Sequence, residues 1–102
     1  MVALAACAIP KRHTAQTLLF VVPADTTARI LRGDKVEIMP AELQLHVGDV
    51  IRIRNEDAHP QKVGPYYVKP HSQVDVRYGA PGTFVGTCKF TRTGRYEIVV
   101  RS

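Results

Sequence analysis

Serine is scarce in this sequence. Of 102 residues only Ser72 and Ser102 are serines, and neither sits in a G-x-S-x-G turn. A serine hydrolase needs its nucleophile on a strained strand-to-helix elbow, so chemistry of that kind has no support. Carboxylates do not pair at a site-like spacing either. The adjacent Glu56 and Asp57 read as loop acids that hold a turn through Asx-type hydrogen bonds. Gly33, Gly48 and Gly64 are isolated turn glycines without a phosphate-cradle pattern. The chain is therefore not expected to be an enzyme. Cysteine is nearly as rare: Cys7 and Cys88 lie at opposite ends of the chain, which argues against a disulfide framework. There is no apolar run of about eighteen residues, so a spanning helix is not expected and membrane contact is left to an anchor or a surface. No stretch of about ten residues holds helical periodicity, and no repeat or low-complexity segment occurs.

What is present fits one small soluble domain. Hydrophobic residues make up 45% of the chain. Setting aside a tail of residues 1–15, a folding unit over 16–102 buries roughly 60 to 65% of its unfolded surface, which leaves little room for a large enclosed site. Lys and Arg outnumber Asp and Glu by 14 to 9, and the pI is near 9.6. That balance disfavours a basic partner and leaves an acidic protein, an anionic lipid surface or nucleic acid open. The charges, however, alternate along apparent strands, at Arg52 and Arg54 and at Arg95, Glu97 and Arg101, as on a solvated face. No helix-turn-helix, zinc or aromatic stacking signature accompanies them, so nucleic acid is not expected as a partner and the domain is read as a monomer.

Near the start, Leu4-Ala5-Ala6-Cys7 resembles the cleavage box of bacterial lipoprotein signals, in which the cysteine receives the lipid. Only six residues precede Cys7 and no basic start is among them. A misplaced start codon, a signal remnant or a chance match would each account for this. The polar stretch Pro10 to Thr14 resembles a lipoprotein tether, which favours the remnant and makes Cys7 the candidate lipid attachment site. Exported, periplasmic or envelope-associated localisation follows as an expectation.

From Gln16 onward, short β-prone runs are separated by Gly, Pro and Asp. Thr17 to Val22 forms a first strand ended by Pro23. Asp25-Thr26-Thr27 opens a helical turn within residues 26–32, closed by Gly33. Leu43, Leu45 and Val47 alternate with Gln44 and His46, which places His46 toward solvent. After Gly48-Asp49, Ile51 and Ile53 alternate with Arg52 and Arg54, and the two runs read as a hairpin or strand pair. Val74, Val76 and Tyr78, then Thr83 to Cys88, then Arg95 to Arg101 complete the pattern. An all-β antiparallel sandwich of about seven strands is expected; pattern alone does not choose its topology.

The order and spacing of several pieces resemble the cupredoxins, in particular small bacterial cupredoxin-like domains. These pieces are Val22-Pro23, Ile38-Met39-Pro40, Leu43 to Val50, Asn55-Glu56-Asp57, Val63-Gly64-Pro65-Tyr66, Pro81-Gly82-Thr83-Phe84, and Cys88 with Gly94 beyond it. The resemblance implies a Greek-key sandwich with a copper ion at one end, held by a His after the Asn-x-Asp loop, a Cys, and a second His after the Cys. A thiolate and two imidazoles suit both oxidation states of copper.

Carried over position by position, Cys88 stands where the family has its Cys, while Gln61 and Thr91 stand where it has the two His ligands. His59, two residues before Gln61, keeps the same strand face but is displaced by roughly 6.5 Å. Three readings follow. In the first, the domain is an accessory or binding module whose copper site is lost and which needs no cofactor. In the second, it binds copper for transport or electron transfer through a rearranged set of Cys88, His59 and His71. In the third, Cys88 is a redox thiol, activated by its neighbour Lys89. The bland readings are a packed core thiol for Cys88, and for His71 a turn position after Pro70 where the family prefers Gly.

Overall fold

The computed structural model describes residues 14–102; residues 1–13, among them Cys7 and His13, lie outside the described residues. Eight strands and one helix follow in order. They are β1 (Thr17–Val22), α1 (Thr26–Leu31), β2 (Glu42–His46), β3 (Val50–Asn55), β4 (Gln61–Val63), β5 (Tyr66–Val68), β6 (Ser72–Arg77), β7 (Gly82–Thr87) and β8 (Arg95–Arg101). The expected strand at Thr17 to Val22, the helical turn and the last strand stand where the alternation placed them. The additional strands come from the Val63 to Pro70 connection, which folds as the β4-β5 hairpin with Gly64 at φ 57° in its turn.

Period-two alternation sorts the side chains between core and solvent. In the first sheet, ordered β1-β3-β6, the register aligns Leu18, Ile51 and Val76 in one inner row and Phe20, Ile53 and Val74 in the next. The outer row sets Arg52 against Asp75, with both guanidinium to carboxylate distances at 2.9 Å. That is the solvated charged face the alternation indicated. In the second sheet, ordered β2-β8-β7, Leu43 and Leu45 pair with Ile98 and Val100. The inner faces of both sheets meet in one core with Val22, Val63, Val68 and Phe90.

Two features differ from the sequence reading. β2 and β3 do not form a hairpin: β2 lies beside β8 and β3 beside β1, each in parallel register. The intervening turn carries the chain from one sheet to the other. Gly48 adopts φ 100°, and Asp49 turns its carboxylate back onto the backbone N–H groups of His46 and Gln16. Alternation reports which face is buried but not which neighbour supplies the hydrogen bonds, so the two arrangements look alike in sequence. Each sheet thus combines one parallel and one antiparallel pairing. His46 is half-buried rather than solvent-facing.

Beyond β6, the Tyr78 hydroxyl meets that of Tyr66, joining the β4-β5 hairpin to the sandwich. Burial and the Tyr66 hydroxyl both push the Tyr78 phenol upward. In the second sheet Gly86 lies opposite Tyr96 and leaves room for its ring; a Cβ at Gly86 would sit 2.7 Å from ring atoms of Tyr96. Gly86→Ala is therefore expected to lower stability by about 1–3 kcal/mol, as overpacking does. The readout is the urea midpoint, and an unchanged midpoint would show that the Tyr96 ring moves aside freely.

Candidate functional site

The end of the sandwich beyond β3 and β7 is built on two polar residues of the Asn55-Glu56-Asp57 segment. Asn55, fully buried, donates through its side-chain amide to the carbonyls of His59 (2.9 Å), Val68 (3.1 Å) and Lys69 (3.2 Å), while its side-chain oxygen accepts the Asp57 N–H. The loop after β3 and the end of β5 are thereby fixed to the first sheet. The loop does contain an Asx turn, but its acceptor is Asn55 and not the acids Glu56 and Asp57 to which the sequence reading assigned it.

Asp57 is 3% exposed, yet its carboxylate has no Lys or Arg partner among the described residues. It accepts instead from the Thr27 hydroxyl, the Thr27 N–H (3.1 Å), the Gln61 amide (2.8 Å) and the Ala58 N–H (2.8 Å). Burial pushes this carboxyl up, but the four donors outweigh burial and hold it down to about 2. Asp57 also caps α1: Asp25 makes no side-chain cap bond, and the helix N–H of Thr27 is satisfied by a carboxylate from a distant loop.

Against this frame each candidate ligand has a definite place. Gln61 is buried, and its amide nitrogen donates to Asp57 and to the Thr27 hydroxyl (2.9 Å). Thr91 is fully buried; its hydroxyl lies 2.7 Å from the Arg95 carbonyl and 3.3 Å from that of Cys88, closing the loop between β7 and β8. Cys88 is a free, buried thiol just past β7, and its sulfur accepts the Gly64 N–H at 3.3 Å. The thioether of Met39 packs on the same glycine.

The histidines stand elsewhere. The His59 side chain is 62% exposed, with Nδ1 3.8 Å from an Asp57 oxygen. His71 is exposed and left-handed at φ 53°, the turn position where the resembled family prefers Gly. It lines a hollow with Arg54, Glu56 and Gln73, whereas Cys88 lines another with Lys62, Lys89 and Gly94. Among the described residues no group of three or more His, Cys, Asp or Glu side chains is placed to share a metal ion. Cys88, His59 and His71 are thus not brought together, and the amide and hydroxyl at the carried-over ligand positions are committed to other partners. This donor set does not fit a blue-copper centre, which needs one thiolate and two imidazoles around one point.

Sequence reasoning missed Thr27 and the organising role of Asp57. The signal was there in Asn55-Glu56-Asp57 followed by Gln61, a polar cluster inside an otherwise apolar pattern, but its partner Thr27 lies 30 residues from Asp57. No protein-family model matches the chain, and a search of curated proteins gave no match. Solved structures do match. The reduced form of an amicyanin mutant with tyrosine in place of tryptophan superposes with a TM-score of 0.50 over 88% of this chain and 87% of that one, at 17% identity. The oxidized form of an amicyanin mutant with leucine in place of methionine gives 0.48 over 82% and 81%, at 19% identity. The first of these likenesses shows the fold, a cupredoxin-like β-sandwich.

Replacing Asp57 by Asn would turn an amide N–H toward donors and is expected to cost about 2–4 kcal/mol at neutral pH. The folded pKa lies below the ordinary carboxyl value, so the wild-type contribution is complete above about pH 4 and is lost as pH falls through about 2. The stability gap between Asp57→Asn and wild type should therefore narrow over that window. A gap independent of pH in urea melts would show that the carboxylate's charge is not what the donors stabilise.

Proposed function

We propose that this chain is a cupredoxin-like binding or accessory module that works without a blue-copper centre. One observation carries the reading. The side chains at both carried-over imidazole positions, Gln61 and Thr91, are buried and hydrogen-bonded into the scaffold, Gln61 to Asp57 and Thr27 and Thr91 to the Arg95 carbonyl. A metal would have to displace these bonds before gaining two poor neutral oxygen donors.

The module is proposed to act outside the cytoplasm, tethered through Cys7. Support comes from the Leu4-Ala5-Ala6-Cys7 string and the polar stretch after it; no helix among the described residues is long and apolar enough to cross a membrane. Its partner is proposed to be an acidic protein, in keeping with a net charge of +5. No catalytic step is assigned to it.

Titration of the reduced protein with copper, followed by visible absorption and by retention through a desalting column, tests this. The expected result is no tight stoichiometric uptake and no intense thiolate-to-copper band. Uptake of one equivalent with such a band, abolished by Cys88→Ser, would overturn the proposal in favour of a copper carrier with a rearranged site.

A further inference from the structure

Strand β7 ends the second sheet: it pairs with β8 on one side and with no strand on the other among the described residues. The register fixes which backbone groups face outward. Cys88 N–H donates to the Gly94 carbonyl at 2.9 Å, continuing the β7-β8 register by one pair. Hydrogen-bonded and non-bonded pairs alternate in an antiparallel ladder, so the even residues of β7 bond to β8 while Thr83, Val85 and Thr87 turn their N–H and C=O groups to the open edge. Two contacts agree with this phase. Glu97, opposite Val85, sends its N–H away from β7 to the Ala41 carbonyl, and the Thr87 carbonyl is free to receive the Lys62 ammonium at 3.3 Å.

Natural edge strands are guarded by charge, proline or a covering loop. β2 carries Glu42 and His46, and β6 carries Asp75 and Arg77. β1 is uncharged, but four of its six side chains are at least partly buried. β7 has no charged residue and no proline, and every one of its residues that bears a side chain is exposed, with Phe84 at 41% and Val85 at 60%. Its N-terminal two thirds thus forms an unguarded template for another strand. The guard that exists stands at the far end, where Lys62 and Lys89 line a hollow with Thr87, Arg95 lies opposite Thr87 in the register, and Arg92 and Arg95 line a second hollow with Val85 that also holds Glu42 and Glu97. None of these four cations forms an ion pair among the described residues.

We propose that β7 is a β-augmentation site for an extended segment of a partner protein, one with apolar or β-branched side chains at alternate positions and carboxylates where it passes Thr87. Main-chain bonds to Thr83 and Val85 would supply affinity, and the cations would supply register and selectivity. A second copy of this chain is disfavoured as occupant, because pairing β7 with itself would bring together two domains of net charge +5. The inference rests on the binding-module reading and deepens it by naming the surface and the chemistry of the partner.

The test uses the isotope-labelled full chain and a blocked peptide of alternating Val and Thr with Asp at both ends, so that either strand direction sets a carboxylate at Thr87. The expected result is amide shift changes and slowed exchange at Thr83, Val85 and Thr87. Binding should weaken by about tenfold or more when Lys replaces Asp in the peptide, since exposed charge then opposes docking. It should vanish when the peptide's bonding amides are N-methylated. Val85→Pro should also abolish it while leaving the β8 ladder intact, because the nitrogen lost faces outward. The N-methylated peptide decides the matter even if that variant fails to fold. Absent shifts, shifts at another edge, or equal binding of the Lys peptide would overturn the inference. So would a concentration-dependent dimer with β7 protected, which would give the edge to a second copy. Copper uptake alongside peptide binding would sink only the earlier reading, whereas a copper-free domain that ignores the peptide would sink only this one.

Discussion

A buried carboxylate without a Lys or Arg partner has to be stabilised by the protein's own dipoles if it is to stay charged, and Asp57 imposes that requirement on its whole end of the sandwich. Its donors come from α1, from the loop after β3 and from β4. Loss of one donor would leave charge facing an empty place in a medium where that is expensive. The geometry of α1, of the Asp57 to Pro60 loop and of the first residue of β4 is consequently fixed together. Asn55, two residues earlier, does the same for the neighbouring backbone by gathering three carbonyls.

That constraint also explains why the carried-over ligand positions are unlike a metal centre. Gln61 is one of the four donors to Asp57, and Thr91 is buried with its hydroxyl bonded to backbone. Polar groups once placed in a core are retained by their partners, since removing either side of a buried hydrogen bond is worse than removing both. Cys88 fits the same description, as a buried thiol bonded to the Gly64 N–H. At that end of the sandwich Gln61, Thr91 and Cys88 are each hydrogen-bonded within the protein.

The strands were legible because their alternation is strong. Val74 and Val76 against Gln73 and Asp75, or Ile98 and Val100 against Glu97 and Arg101, admit only one assignment of faces. The partnership of strands was less legible, since β2 and β3 alternate as hairpin arms do and only the crossing turn distinguishes the cases. At the candidate site, the substitutions at Gln61 and Thr91 and the turn role of His71 were readable by position. The amide's attachment to Thr27 was not, because a hydrogen bond between residues 34 apart leaves no periodic trace. His59, displaced along its strand in the sequence reading, is in fact on an exposed loop, where neither strand period nor face applies.

Strand β8 lies in the middle of the second sheet although it comes last of the eight described strands, and residues aligned between it and its parallel neighbour β2 are 55 apart in sequence, as Glu42 is from Glu97. β2 and β7 therefore lack their common sheet partner until β8 is in place. Closure of that sheet is a late, long-range event, and non-local parallel pairing of this type is slow. Until it happens the folding domain presents uncovered strand to its surroundings, the kind of exposure from which aggregation starts.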